Sequence, residues 1–291
     1  MGPTSFIYLY EAYLYKRSGL AAEITYVKVV GDKRRSELKR EAERLLRELG
    51  FKLDGNPQLI IVLGGDGLFS YCARLYDRPL LFVGLKGKEP AASRAFLAQI
   101  DYYALEGALK QIKQGSYELV SYPRLAASLN GTLKGTSLTD VYLERGAEAG
   151  CLRLQVEVEG PRSFTEFAIA NGIIVTTPLG ASGYYSYVDK IKGDLLNVDA
   201  VTTLAPNDLG VCYILPTYTL RRGSDLHPLR YSIANTSKVS VRLLREGDAR
   251  LYGVGKALRG YRVRLGDVVS ISLHDKPAKL IKLQLNSSRR P

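Results

Sequence analysis

The sequence predicts an N-terminal α/β domain with a parallel, doubly wound sheet, followed by an all-β, sandwich-like domain. The first third of the chain alternates short apolar strands with amphipathic helices, which is typical of a parallel sheet. From about residue 116 the pattern changes to strict apolar and polar alternation, with Gly and Asn turns between the segments. The length of 291 residues fits two domains of ordinary size, at roughly 100–200 residues each.

Hydrophobic spacing predicts the first elements in order. A β-branched run predicts a strand over residues 24–30, and a fully apolar run predicts a buried strand over 59–63. Between them, apolar residues at helical spacing predict a helix over 36–49. We expect Ser36 at its N-cap and Gly50 just beyond its end.

Three further elements complete the α/β pattern. They are a helix over 68–76, a buried strand over 79–85 and a helix over 102–114. Later segments such as 152–158 and 239–243 alternate as antiparallel strands do when one face is buried. We therefore expect the first domain at residues 1–115 and the second at 116–291.

Composition narrows the functional classes. Hydrophobic residues make up 46% of the chain, which argues against a disordered protein. The longest clean apolar run is far shorter than the ~20 residues that cross a bilayer. The first residues lack the pattern of a secretory signal. We therefore expect a cytoplasmic protein without a membrane partner. The three Cys and two His show no metal-ligand spacing, so no protein metal site is expected.

The formal net charge is +12, from 41 basic and 29 acidic residues. Most basic residues are interleaved with acidic ones, and no nucleic-acid-binding signature is present. We expect no nucleic-acid partner. A positive field instead suits a phosphorylated small molecule.

The sequence Gly64-Gly65-Asp66-Gly67 stands where a predicted strand meets a helix. Its glycines permit a tight turn and close approach of the backbone to a ligand, and the helix N-terminus offers N–H groups to a phosphate. A carboxylate beside a phosphate is unfavourable unless it takes a proton or holds a metal ion, which makes Asp66 a candidate catalytic residue. The alternative is a plain turn in which Gly and Asp serve backbone geometry.

A second segment begins at Asn171 with an apolar strand and continues into a loop of small residues, hydroxyls and an aromatic. Such a loop can wrap a nucleoside, because Tyr184 offers a stacking face and Ser182 offers hydrogen bonds. The alternative is an ordinary turn rich in small residues.

Together the two segments resemble the NAD kinase family. Its pattern is a GGDG turn in an α/β domain, then a strand reading roughly DG(I/V)IVxTPTGSTAY in a β-rich domain. GGDG alone also resembles turns in diacylglycerol-type lipid kinases and phosphofructokinases, but the second strand makes the match much more selective. The resemblance spans nearly the whole chain. It implies phosphoryl transfer from ATP or another polyphosphate donor to the 2′-hydroxyl of NAD, with Mg²⁺ bound to the donor phosphates.

The resemblance also implies residue roles. Asp66 would be the base for the ribose hydroxyl, and Gly64, Gly65 and Gly67 would cradle the donor phosphates. The positions implied for the acceptor are Phe96, Thr139, Asp140, Asn171, Thr177, Ser182, Gly183, Tyr184 and Tyr187. The family further implies a homodimer or homotetramer and a last strand that returns to the first domain.

Several positions depart from the family pattern, most of them on the acceptor side. The departures are Leu68 for Thr, Thr139-Asp140 for Asn-Glu, Asn171 for Asp, Gly-Ala-Ser-Gly-Tyr over 180–184 for Gly-Ser-Thr-Ala-Tyr, and Tyr252-Gly253 near the place of Asp-Gly. Buried polar contacts discriminate between acceptors, so these changes bear on specificity more than on the chemistry. Two alternatives stay open: a kinase of the same superfamily for a polyol, nucleoside or lipid head group, and a non-catalytic nucleotide-binding protein.

Overall fold

The computed structural model describes residues 23–85, 95–148, 150–192 and 203–283. They form two compact units. The first contains the described residues up to Tyr122 and from Pro277 onward, and the second runs from Pro123 to Lys276. In the part of the chain that the structure describes, no helix is long and apolar enough to cross a membrane.

The first unit is built on one seven-stranded sheet. Its first six strands are β1 (Tyr26–Gly31), β2 (Lys52–Leu53), β3 (Leu59–Gly64), β4 (Leu80–Gly84), β5 (Ile100–Asp101) and β6 (Tyr117–Tyr122). Strands β1 to β4 run parallel in the order β2-β1-β3-β4, and β5 pairs with β4. The seventh strand, Ala278–Leu283, lies between β4 and β6, parallel to β4 and antiparallel to β6. It is labelled β20 because it follows every strand of the second unit.

Helices α1 (Ser36–Glu48), α2 (Asp66–Leu75) and α3 (Leu105–Lys113) cover this sheet. Leu46 of α1 and Leu109 of α3 share one buried core with Ile61 of β3. On the other face, Phe69 of α2 stacks on Phe82 of β4 with ring centroids 4.6 Å apart. Successive strand residues point to opposite faces, so helices lie on both sides of the sheet. The predicted doubly wound α/β fold is confirmed.

The start of α1 differs from the prediction. A 3-10 turn over Lys33–Arg35 precedes the helix, and Asp32 caps that turn by accepting a hydrogen bond from Arg34 N at 2.9 Å. The N-cap of α1 is Arg35, so the prediction of Ser36 as the cap is wrong. At the other end Gly50 has a positive φ of 78°, as a residue just beyond a helix often does.

The described residues of the second unit form thirteen strands in two antiparallel sheets. The strands are β7 (Leu125–Leu129), β8 (Thr132–Ser137), β9 (Asp140–Arg145), β10 (Leu152–Glu159), β11 (Phe164–Ala170), β12 (Gly172–Thr176), β13 (Asp208–Ile214), β14 (Tyr218–Arg221), β15 (Arg230–Ala234), β16 (Lys238–Leu243), β17 (Ala249–Tyr252), β18 (Tyr261–Val263) and β19 (Val268–Leu273). One sheet has the order β14-β11-β10-β16-β19-β7-β8 and the other β15-β13-β12-β9-β17-β18.

Both sheets contribute to one buried core, which contains Leu154 and Val241 from the first and Ile173 and Val211 from the second. The opposite face of the second sheet packs under the segment 178–192, which ends in α4 (Tyr187–Lys192). The β-rich, sandwich-like architecture predicted for the second part of the chain is confirmed.

The division between the units differs from the one expected at residues 115 and 116. Strand β6 pairs along its whole length with β20, and both belong to the sheet of the first unit. The hydrophobic pattern therefore changes from helical spacing to alternation before the end of the first unit. The reason is that β6 and β20, which pair antiparallel, both belong to that unit.

Candidate active site

The first group of candidate residues lies at the carboxyl end of β3. Gly64 ends this strand and pairs side by side with Gly84 at the end of β4. Gly65 is extended, with φ −104° and ψ 176°, and is the N-cap of α2. The helix predicted from residue 68 thus begins earlier, and Asp66 lies in its first turn. The helices that follow neighbouring β1 and β3 lie on opposite faces, which makes this edge a switch point where such sheets bind ligands.

The two outer glycines of the turn differ in their surroundings. Gly64 is buried, and a Cβ there would lie 2.8 Å from Cδ2 of Leu68. Gly67 is exposed, and a Cβ there would meet no other described atom within 4 Å. Packing among the described residues therefore does not demand glycine at position 67, whereas close approach of a phosphate to the first helical turn would.

The carboxylate of Asp66 is held by two backbone amides. Phe96 N donates to Oδ2 at 3.0 Å and Leu97 N donates to Oδ1 at 2.8 Å. Burial raises the pKa of Asp66 above its ordinary value of 3.8, and the amides of Leu97 and Phe96 oppose that shift. Each carboxylate oxygen has two lone pairs, so an ionised Asp66 held in this way can still accept a proton from a hydroxyl. Phe96 is brought to Asp66 through its backbone.

The second group lies at one end of the second sheet in the second unit. Asp140 begins β9 and pairs in register with Thr176 at the end of β12. Next to this pair, Thr177 N donates to Thr139 O at 2.8 Å, and Thr177 Oγ1 donates to Leu138 O at 2.7 Å. Thr139 and Thr177 are both buried. The Thr177 hydroxyl therefore fastens the two strand ends together.

The small-residue loop passes closely over these strand ends in two 3-10 turns, Pro178–Gly180 and Tyr184–Ser186. A Cβ at Gly180 would lie 2.7 Å from Thr139 O, so a larger residue would lift the loop off the sheet. Gly183 is exposed, and a Cβ there would stand 3.9 Å from Asp140 Oδ1. Half-buried Ser182 precedes it, and Ser182 O accepts from Ser186 Oγ at 2.9 Å. Ser182, Gly183 and Asp140 thus lie together.

The two tyrosines of this segment use their hydroxyls within the protein. Tyr184 OH donates to Glu144 Oε1 at 3.0 Å, and burial together with Glu144 raises the pKa of Tyr184. Tyr187 OH donates to Tyr213 O and accepts from Leu215 N at 3.1 Å. What both side chains can offer a ligand is therefore the aromatic ring rather than the hydroxyl.

Asn171 lies apart from Thr139, Asp140 and Thr177. It precedes β12, whereas Thr177 follows it, and the five residues of β12 extend about 16 Å at ~3.3 Å per residue. Asn171 Oδ1 accepts from Cys151 Sγ at 3.6 Å, and Asn171 O accepts from Arg145 N at 2.8 Å. The structure brings Thr139, Asp140 and the loop together but does not bring Asn171 to them.

Sequence reasoning assigned no role to Tyr252 and Gly253 beyond a departure from the family pattern, and it did not indicate the contact of Leu97 with Asp66. Gly253 comes directly after β17 and has φ +85°. It lies so close to β9 that a Cβ there would be 3.1 Å from Val141 Cα. Tyr252 stacks on Tyr142 with ring centroids 5.3 Å apart. The available signal was a Tyr-Gly pair near the place of the family's Asp-Gly. The contact of Leu97 with Asp66 had no signal, because it depends on a backbone amide that every residue except proline carries.

No protein-family model matches the chain. Among curated relatives, the NAD kinase of Geotalea daltonii is 36% identical over 167 residues, which is 54% of this chain and 57% of the relative. The NAD kinase of Picrophilus torridus is 22% identical over 244 residues, which is 84% of this chain and 80% of the relative. The NAD kinase of Natranaerobius thermophilus is 26% identical over 238 residues, which is 79% of this chain and 74% of the relative. The match with the first of these therefore spans little more than half its length.

Two solved structures share the fold. The yeast NADH kinase complexed with NADH aligns with a TM-score of 0.66 at 14% identity, covering 92% of this chain and 89% of that one. The NAD kinase of Archaeoglobus fulgidus in complex with ATP aligns with a TM-score of 0.62 at 17% identity, covering 89% of this chain and 94% of that one. The chain is thus similar in sequence to curated proteins named NAD kinase, and it shares the fold of the two solved kinases.

Proposed function

We propose that the protein is an NAD kinase, which transfers the terminal phosphoryl group of ATP to the 2′-hydroxyl of NAD and so forms NADP. The observation that carries this proposal is the position of Asp66. Its carboxylate lies in the first turn of α2, at the carboxyl end of a parallel strand, and two amides hold it in place. Relatives named NAD kinase point to the same reaction.

The donor phosphates are assigned to the N-terminus of α2. The first N–H groups of a helix have no partner within it, and the positive end of the helix dipole favours an anion. Gly65 and Gly67 present backbone without side chains there, and Gly67 is exposed. The related kinase of A. fulgidus was solved in complex with ATP, which supports ATP as the donor. Inorganic polyphosphate presents a similar anionic chain and stays the alternative donor.

In the proposed step, Asp66 takes the proton of the acceptor hydroxyl while that oxygen forms a bond to the γ-phosphorus. The bond from the γ-phosphorus to the bridging oxygen breaks, and ADP leaves with that electron pair. The chemistry needs mainly positioning and neutralisation of charge. Burial raises the pKa of Asp66, which makes its carboxylate a better base than that of an ordinary aspartate.

Mg²⁺ fits this site only as a companion of the donor. Among the described residues, no group of three or more His, Cys, Asp or Glu side chains could hold a metal ion. Mg²⁺ keeps several of its waters and binds substrate phosphates, so the donor phosphates assigned to the N-terminus of α2 would hold it here. When bound, Mg²⁺ would neutralise charge on the transferred phosphoryl group.

The acceptor is assigned to the residues that gather at the ends of β9 and β12. Asp140 and Ser182 supply polar atoms there, and exposed Gly183 lets a ligand approach the backbone. Tyr184 contributes its ring, as described above. Relatives and solved neighbours are NAD or NADH kinases, and none of them favours the polyol, nucleoside or lipid acceptors that the sequence left open.

The acceptor is tested by supplying the purified chain with ATP and Mg²⁺ and offering NAD, NADH, adenosine and glycerol in separate reactions. We expect phosphorylation of NAD or NADH at a kcat/KM well above that of the two simpler alcohols. ADP release that is driven only by adenosine or glycerol would contradict the proposal. A homodimer or homotetramer and a cytoplasmic location stay predictions, the first of which light scattering of the purified chain will measure.

A further inference from the structure

Two of the amides that hold Asp66 come from one short turn in the first unit. Phe96 N and Leu97 N donate to the two carboxylate oxygens, and the turn is closed by Ala98 N, which donates to Ala95 O at 3.1 Å. Asp66 and this turn are separated by some thirty residues in sequence. The position of the carboxylate therefore depends on the position of residues 95–98.

The turn packs directly against Gly84, at the end of β4. A Cβ at Gly84 would lie 2.6 Å from the Cβ of Ala98 and 2.9 Å from the Cβ of Ala95. Real Cβ atoms do not approach so closely, so the two alanine methyl groups fill the space that a side chain at position 84 would need. Gly84 also pairs with Gly64, the first glycine of the GGDG turn.

The conformation of the turn is itself uncommon. Ala95 has φ +47°, in the left-handed region where glycine is at ease and alanine is not. Such a conformation persists only where surrounding contacts hold it. The contacts that hold it include the packing against Gly84 and the two hydrogen bonds to Asp66.

We propose that Gly84, Ala95 and Ala98 are positioning residues for Asp66. The methyl groups of the two alanines pack against the backbone of Gly84. This contact orients the amides of Phe96 and Leu97 toward the carboxylate of Asp66. Amide donors favour the ionised carboxylate and fix its orientation, whereas burial alone would favour the protonated form. The catalytic part of this proposal rests on the proposed function, in which Asp66 is the base.

The test compares Gly84→Ala with a variant in which space is restored, Gly84→Ala/Ala95→Gly/Ala98→Gly. The matched control is Gly107→Ala, at an exposed glycine of α3 where a Cβ would meet no other described atom within 4 Å. We expect Gly84→Ala to lower kcat for NAD phosphorylation by roughly 10- to 100-fold, as small misplacements of reacting groups do. The KM for ATP should change little, and the acid limb of the kcat profile should move to higher pH. The restored variant should regain most of the kcat, and Gly107→Ala should match the unaltered chain.

A second readout does not depend on activity. The carboxyl carbon of Asp66, assigned by comparison with Asp66→Asn, can be titrated by NMR in each variant. We expect a higher pKa for Asp66 in Gly84→Ala and its return in the restored variant. If Gly84→Ala does not fold, Ala98→Val enlarges the other side of the same contact and should raise the pKa in the same direction. An unchanged pKa and kcat in a folded variant would overturn the inference. A titration that behaves as expected in a chain that never phosphorylates NAD would instead overturn the proposed function.

Discussion

Asp66 combines two properties that a base for an alcohol needs. It is buried enough for its pKa to rise, and two amides still support its ionised form. Replacing it by Asn keeps the size of the side chain but removes the ability to take a proton. The substitution also replaces one of the two oxygens that accept from Phe96 N and Leu97 N by an amide nitrogen, which cannot accept.

We expect Asp66→Asn to lower kcat by roughly 10²- to 10⁴-fold, the usual contribution of a general base, while the KM values stay within a few-fold. Steady-state assays with ATP and NAD measure this. Asp225→Asn, at an exposed position in the second unit, is the control with the same change of charge and should keep full activity. Equal activity of Asp66→Asn and the unaltered chain would show that Asp66 is not the base.

The pH dependence follows from the same group. Activity needs ionised Asp66, so kcat should fall as pH decreases through the pKa of that residue. Because burial raises the pKa above 3.8, the acid limb should lie above the range of an ordinary aspartate. Stopped assays across acidic pH, with circular dichroism at each pH to confirm folding, measure it. A limb at or below 3.8 in folded protein would contradict the assignment.

At the scale of single elements, the first turn of α2 offers a test in which stability and function move in opposite directions. A Cβ at Gly67 meets no other described atom within 4 Å, so Gly67→Ala should stabilise the helix by about 0.5–1 kcal/mol. The same methyl group would stand where the donor phosphates are assigned, and the KM for ATP should rise several-fold. Thermal unfolding and steady-state kinetics measure both effects.

Gly107→Ala is the matched control, because it makes the same substitution at an exposed position of helix α3. This substitution should stabilise its helix by a similar amount and leave the KM for ATP unchanged. If Gly67→Ala behaves in the same way, the donor phosphates do not bind at this turn.

The strands of the second unit are tied by a buried carboxylate that sequence reasoning did not single out. Glu166 is fully buried, and its Oε1 accepts from Arg221 Nε at 2.8 Å and Nη2 at 2.7 Å. Its Oε2 accepts from the hydroxyls of Tyr213 and Tyr231, both at 2.7 Å. These four residues stand on β11, β13, β14 and β15, so the network links both sheets.

Glu166→Ala would leave Arg221 and two buried hydroxyls without their acceptor, and we expect a loss of about 3–5 kcal/mol in the free energy of unfolding. Urea unfolding measures the loss. Glu159→Ala removes an exposed carboxylate 3.5 Å from Lys238 and should cost no more than about 1 kcal/mol. Equal small losses in both variants would show that the network contributes nothing to stability.

At the scale of the whole molecule, the last described strand belongs to the first unit. Leu280 of β20 is 1% exposed and pairs with Leu80 of β4, whereas the neighbouring Lys279 is exposed. We expect Leu280→Ala to lower the free energy of unfolding by about 2–5 kcal/mol, as for other core leucines. Lys279→Ala should change it by less than about 0.5 kcal/mol. Urea unfolding of both variants measures this, and a small effect of Leu280→Ala would place β20 outside the core.

The spacing of apolar residues and glycines predicted the strands and helices that depend on residues close together in sequence. The apolar run at 59–63, the glycines after it and the helical spacing of α1 each depend on neighbours in sequence, and the structure contains all three. The pairing of β6 with β20 joins residues far apart in the chain. No period within either segment specifies that partner, and it was the family resemblance that implied a last strand returning to the first domain.

In the candidate site, too, contiguous motifs were predicted and contacts between distant residues were not. The GGDG turn and the small-residue loop are contiguous motifs, and each lies at a strand end as expected. Asn171 was grouped with Thr177 because a motif is read as one string, although a whole strand separates the two positions. The resemblance implied Phe96 as an acceptor residue, but the sequence did not indicate that the amides of Phe96 and Leu97 donate to Asp66.

The most direct test of the central claim is to follow the γ-phosphoryl group itself. The purified chain is given ATP labelled at the γ-phosphate, Mg²⁺ and NAD, and the product is separated and identified. The account predicts label in the 2′-phosphate of NADP with the unaltered chain and a nearly complete loss of that label with Asp66→Asn. Absence of labelled NADP from the folded, unaltered chain, or undiminished labelling by Asp66→Asn, would contradict it.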